Sequence, residues 1–245
     1  MRRHSISLAV VIVSAASVAK SGAQTLAQRV DAVRDGVVLM AFQARPGVCG
    51  SGNGSIWTRD AWRDGSWDRG ACISGPVRVS LGRADGNTIS VRVFVGGVWR
   101  ATSSETDLGV VSAADAAHYL VGIAHSIGGR SGSDAVSAGA LSDAPDPTAD
   151  LVSLIRDANA PIEPRKQALF WTGNTSVSTR DLTQLYDALG PYSLREHFVY
   201  VISQRRDDIA VDKHAHSELF KFRTRLGRFP HCQETVDEQQ SSLLL

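Results

Sequence analysis

Leu151-Val152-Ser153-Leu154-Ile155, Pro161–Pro164 and Arg165-Lys166-Gln167-Ala168-Leu169-Phe170-Trp171-Thr172-Gly173 are followed by a second version of the same pattern. It runs Leu182-Thr183-Gln184-Leu185-Tyr186, Gly190-Pro191, then Arg195-Glu196-His197-Phe198-Val199-Tyr200-Val201-Ile202. Arg165 meets Arg195 at an offset of 30, and Leu151 meets Leu182 at an offset of 31. A self-similar period near thirty, each copy an amphipathic helix followed by a more apolar one, predicts helix pairs stacked into a solenoid. Solenoids present extended binding surfaces, so this pattern favours a binding module over an enzyme.

Punctuation supports the helices. Asp146-Pro147 opens the first, with Leu151, Leu154, Ile155 and Ala158 on one stripe. Pro164 opens the second, and Ser178-x-x-Asp181 opens the third, striped by Leu182, Leu185, Tyr186 and Leu189. Ser193-x-x-Glu196 reads as a capping box for the fourth. The second and fourth are apolar nearly all round, as inner helices of a stack would be.

Upstream, the period changes from helical to two. Val37–Phe42 is a compact apolar run, while Val77, Val79 and Leu81 alternate with polar neighbours, as do Ile89, Val91, Val93 and Val95. Asp85-Gly86-Asn87 and Gly96-Gly97 are turn signals, the second leading into Val98-Trp99-Arg100, so an antiparallel meander is expected. Ser112-x-x-Asp115 then caps a helix through Ala116, Leu120, Ile123 and Ala124, expected to cover the sheet. The Gly-, Ser-, Ala- and Asp-rich stretch 128–147 reads as a surface connector. The expected class is therefore α+β, a small β-meander domain followed by an α-solenoid of about two helix pairs.

The 245 residues are 43% apolar and 21% charged, with a net charge of +1, which provides no bulk electrostatic footprint for nucleic acid or an anionic membrane. Arg2-Arg3-His4, the apolar run Ile6–Ala19 and the small residues Ser21-Gly22-Ala23 have the layout of a cleaved signal peptide. The expected organisation is a signal peptide over 1–23, a β-rich domain over 24–127, a linker over 128–147, helical repeats over 148–229 and a disordered tail over 230–245. Export to the periplasm or medium follows, with no stable membrane insertion after cleavage.

In an oxidising compartment Cys49 and Cys72 are candidates for a disulfide; two buried small hydrophobes or half of a zinc site are the alternatives. Cys232 has no evident partner. The helix Arg165–Gly173 resembles the "RKQALFWLG" helix of short bacterial HEAT-like repeats. Gly47-Val48-Cys49-Gly50, Gly75-Pro76-Val77-Arg78-Val79 and Tyr119-Leu120 resemble the small β-rich domain that precedes such repeats in exported bacterial proteins. The resemblance reaches to about Asp212 and implies protein contacts through the repeats, with no catalytic residues carried over. Beyond Lys213 the pattern departs: Arg225 keeps the offset, but Pro230 would break the next inner helix.

Trp57, Trp62 and Trp67 recur every five residues among arginines and aspartates, and an exposed row of this kind stacks on sugars. The plainer reading is that they fold back over the sheet. His214-x-His216 with Asp212 lacks the further ligands of a zinc site, and no metal or other cofactor is expected. His118 and His125 share a helix face without a nucleophile. Ser131 lacks the spacing of a nucleophile elbow, and Gly47–Gly54 lacks the Gly-Lys-Ser/Thr of a phosphate loop. The sequence thus leads to an exported, non-catalytic protein that binds a protein partner, with glycan binding through the tryptophan loop as the alternative. Residues 213–226 are expected to form one helix over the last pair, and any open edge to self-associate.

Overall fold

The computed structural model describes residues 24–58, 72–98, 102–174 and 177–205. The expected signal peptide, Trp62, Trp67, the His214/His216 pair, Cys232 and the tail lie outside them. Among the described residues the chain is α+β, a small mixed sheet followed by a run of helices.

A short helix α1 (Leu26–Asp31) opens the chain, capped reciprocally by Thr25 and Gln28. Strands β1 (Gly36–Phe42), β4 (Val77–Ala84), β5 (Asn87–Val95) and β6 (Glu105–Val110) form one sheet in the order β5-β4-β1-β6. A two-stranded hairpin, β2 (Val48–Gly50) and β3 (Ile56–Thr58), stands apart from it. Cross-strand rows Val38–Leu81–Val91, Met40–Val79–Val93 and Phe42–Val77–Val95 supply the core face. The alternation in β4 and β5 therefore sets the register as the sequence suggested.

Three expectations about this half are corrected. The sheet is not an antiparallel meander, because β6 runs parallel to β1 and forms the edge. Val98, the only described residue of the expected third strand, lies outside any strand and is exposed. Ile89 points outward despite its place in the apolar alternation, because a bulge opposite Gly82/Arg83 leaves it unpaired and reverses the phase.

The helices are α2 (Ala113–Ile123), α3 (Gly129–Leu141), α4 (Thr148–Arg156), α5 (Ile162–Gly173), α6 (Thr179–Thr183) and α7 (Tyr192–Ser203), with a 3-10 turn at Tyr186–Ala188. Ser112 caps α2 and Ser178 caps α6 through the expected aspartate amides. Elsewhere the starts differ. Helix α5 begins two residues before Pro164, which its first turn tolerates because those amides have no intrahelical acceptor. At α7, Gly190 with φ +64° and Pro191 set the entry, so Ser193 already lies inside the helix and does not cap it. The third expected helix is only α6 plus the 3-10 turn.

The largest correction is the expected connector 128–147, which holds α3. Ala135, Val136, Ala138 and Leu141 are buried there. Helix α3 lies against β5 and β4 and also packs on α2 and α5, so it covers the sheet where α2 was expected to. It fits because it is thin. A Cβ on Gly139 would stand 2.9 Å from Val121 Cγ2, and one on Gly132 would collide with the Ile127 carbonyl and the Pro164 ring. Backbone bonds Arg45 N–Leu141 O (2.9 Å) and Asp143 N–Gln43 O (2.9 Å) tie the end of α3 to the chain leaving β1. Sheet and helices share one continuous hydrophobic core.

Helices α3, α5 and α7 pack in series, and α2 packs beside α4. Arg165 is the joint of the series. It is 2% exposed, donates Nε and Nη2 to the Ile155 carbonyl (3.0 and 2.9 Å), and reaches the Leu189 carbonyl ahead of α7 (3.4 Å).

Candidate functional site

Cys49 and Cys72 are joined in a disulfide, with Cα atoms 5.4 Å apart. Around it the glycine-rich stretch 47–54 serves packing. Gly50 exchanges backbone bonds with Ile73 (3.1 and 2.9 Å), and Gly52 N donates to Val95 O (3.1 Å). The buried Arg78 guanidinium holds the layers together, Nε donating to Gly96 O (2.6 Å) and Nη2 to Gly52 O (2.7 Å), above the Phe94 ring. Trp57 is half-buried opposite Cys49 in the hairpin, and its Nε1 is buried without a hydrogen-bond partner among the described residues.

His118 and His125 staple α2 to α4. His118 Nδ1 lies 3.0 Å from Asp150 and His125 Nδ1 2.7 Å from Asp157. The His125 hydrogen bond holds the Asp157 carboxyl below its ordinary pKa. No described serine or cysteine hydrogen-bonds either ring, so the two pairs act as struts between helices. Ser131 sits in the first turn of α3, not on a strand-to-helix turn. No group of three or more His, Cys, Asp or Glu among the described residues is placed to hold a metal ion. No described helix is long and apolar enough to cross a membrane.

A different set of side chains is brought together across the serial helices. Ser137 on α3 accepts from Gln167 Nε2 (3.0 Å) and Trp171 Nε1 (3.2 Å) of α5. The Arg45 guanidinium lies 5.2 Å from the Trp171 ring centre, and Phe170 meets Trp171 edge to face at 5.3 Å. On α7, the His197 and Tyr200 rings lie 5.9 Å apart. Burial pushes the His197 imidazole below its usual pKa, and the nearby Lys166 ammonium adds to the shift. Its Nε2 is buried without a partner among the described residues. Lys166 is itself 3.4 Å from Glu163.

Ser137, Gln167 and His197 stand thirty residues apart at each step, one on each of three packed helices. Phe170 and Tyr200 keep the same interval. Residues carried at a constant interval by helices packed in series are spaced regularly along them, which is an arrangement a recognition surface can use. The sequence contained this signal in its thirty-residue offset, but only for residues already placed in helices; Ser137 lay in the expected connector.

Asp134, also on α3, has its pKa raised to about 6 by burial, partly opposed by Arg130 at 3.9 Å. A carboxyl whose folded pKa exceeds its unfolded value costs stability as pH rises through the folded value, and costs nothing below the unfolded one. Asp134→Asn is therefore expected to stabilise the protein near pH 8 by about 1–2 kcal/mol, discounted for solvent screening. The gain should vanish near pH 4, below the point where the native carboxyl ionises. Melting curves at both pH values test it; a gain of the same size at low pH would place its cause elsewhere.

Comparison with protein families, with curated proteins and with solved structures returned no match.

Proposed function

We propose that the chain is an exported, non-catalytic interaction protein whose stacked helix pairs bind a protein partner. In this reading α2–α3, α4–α5 and α6–α7 are three successive pairs of a short HEAT-like solenoid, with the sheet covering its first end. The observation that carries it is the half-buried set Ser137, Gln167 and Phe170 around the buried Trp171 on α3 and α5, with His197 and Tyr200 at the same thirty-residue interval on α7. The set mixes aromatic area with hydrogen-bonding groups, the composition of protein-binding hot spots. The Cys49–Cys72 bridge agrees with an oxidising compartment, periplasmic or extracellular.

The test is comparative capture from a periplasmic extract, with the chain lacking residues 1–23 as bait. Phe170→Asp/Tyr200→Asp removes two aromatic rings at half-buried positions. Proteins bound by the unsubstituted bait should be lost, a drop of at least about tenfold for two anchors near 1 kcal/mol each. Trp57→Ala should leave them bound. Retention by the double variant, with loss by Trp57→Ala, would overturn this surface in favour of the tryptophan loop.

A further inference from the structure

Strands β2 and β3 are joined by the turn Ser51–Ser55, closed by a bond from Ser51 N to Ser55 O (3.0 Å). Asn53 at its tip and the glycine after it are both exposed. The Ser51 hydroxyl donates to the Asn53 carboxamide oxygen. That bond withdraws electron density from the carboxamide carbon and stabilises negative charge forming on its oxygen. The Gly54 N–H donates to no acceptor among the described residues. Gly54 has φ +128°, and a Cβ there would meet nothing within 4 Å, so the surroundings of its nitrogen are open. An activated carboxamide carbon and an unengaged backbone nitrogen on successive residues are the two reactants of an imide closure, already held together. The other three asparagines lack this arrangement. Asn87, Asn159 and Asn174 are followed by Thr88, Ala160 and Thr175, whose side chains crowd the nitrogen. Ala160 N is also bonded to Asp157 O (3.3 Å), and the Asn87 and Asn174 carboxamides are held by Asp85 O (3.3 Å) and Phe170 O (2.8 Å).

We propose that Asn53 is a site of spontaneous deamidation, with the Gly54 nitrogen as nucleophile, and that its isoaspartate product opens the β2–β3 turn. The Gly54 nitrogen bonds to Asn53 Cγ, the Cγ–Nδ2 bond breaks, and ammonia leaves with the proton that Gly54 gives up. Water then opens the cyclic imide at either carbonyl. One opening gives aspartate; the other gives isoaspartate, in which the main chain runs through the former side chain. Nothing is oxidised or reduced, and water is the sole co-reactant. Isoaspartate adds a carbon to the backbone between Ser51 and Ser55, so the bond that closes the turn loses its geometry. Gly52 lies in the same turn, donating to Val95 O (3.1 Å) and accepting from Arg78 Nη2 (2.7 Å), so the change reaches the sheet. Strands of three residues have no long ladder to hold them against it. The reaction does not depend on partner binding by the helices, so either reading can fail alone.

The test holds the whole chain after residue 23, folded, in mildly alkaline buffer, where the Gly54 nitrogen gives up its proton more readily. Peptide mapping should show carboxamide turning to carboxylate at Asn53 at least about tenfold faster than at Asn87, Asn159 or Asn174. Isoaspartate should be among the products. Asn53→Gln, which would have to close a larger ring, should stay unconverted, and Ser51→Ala should slow conversion at Asn53 by about threefold or more. The same chain unfolded in urea is the reference. Conversion when unfolded with none when folded overturns the proposal, because the turn then protects Asn53. Equal rates at all the asparagines overturn it too, as does an unchanged rate in Ser51→Ala, which would leave the folded turn no part in the reaction. Hydrogen exchange on fresh and aged protein is the second reading. The amides of Ser51 and Gly52 should exchange at least about tenfold faster in the isoaspartate fraction. Unchanged exchange there overturns the opening of the turn.

Discussion

Arg165→Met should lower the folding free energy by about 3–4 kcal/mol and the melting temperature by roughly 10 °C. The substitution keeps an unbranched apolar stem as far as the Nε position and removes the guanidinium beyond it, so some packing is lost with the hydrogen bonds. It removes three hydrogen bonds from a residue 2% exposed and leaves the Ile155 and Leu189 carbonyls facing a thioether. Each stranded carbonyl costs about 1–3 kcal/mol. Arg165→Lys should recover less than half, because one ammonium on a flexible stem cannot reproduce a planar donor fork. Because one of the carbonyls, at Leu189, lies just ahead of α7, the damage should spread. Exchange should quicken in α7 as well as α5. A loss below about 1 kcal/mol would mean that α5 is joined to its neighbours by apolar contact alone.

Loss of the Cys49–Cys72 bridge should cost about 3 kcal/mol, the value expected for closing a loop of this size. The two cysteines are 23 residues apart. The native side of the balance adds to this effect, since the bridge anchors strands of only three residues in β2 and β3. Such a hairpin is not stable alone. Cys49→Ala/Cys72→Ala should therefore release β2 and β3 first, and with them the acceptor Gly52 O that Arg78 uses. Melting with and without reductant gives the magnitude, and mass measurement after alkylation of unreduced, unfolded protein gives the bond. Two alkylated thiols at these positions would remove it.

The sequence was readable where side chains report their own burial. Val38, Met40 and Phe42, with Val77, Val79 and Leu81, point inward as their patterns require, and Leu151, Leu154, Leu182 and Leu185 line the helices as the period demands. It was silent where burial is achieved by absence. Helix α3 reads as a connector because Gly132, Ala135, Ala138 and Gly139 carry almost no hydrophobic signal, yet only residues that small fit between the sheet, α2 and α5. Strand β6 was missed because an edge strand has one neighbour; Glu105, Thr106 and Asp107 keep that edge polar, so no alternation appears. The set on α3 and α5 stayed hidden for a related reason. Its residues are individually ordinary, and only the packing of the two helices makes them neighbours.

The place of β1 bears on how the chain reaches this state. It is among the first segments to be made, yet both of its partners come later. It pairs antiparallel with β4, and Val37 pairs in parallel with Glu105 of β6. The neighbours of Gln43 and Arg45 come later still, at Asp143 and Leu141. Long-range closures of this kind slow folding, because loop entropy is lost before the contacts that repay it are made. A nascent chain therefore cannot complete its centre until well over half of it has emerged. Were the chain exported as proposed above, a delay of that sort would keep it unfolded long enough to be threaded through a pore.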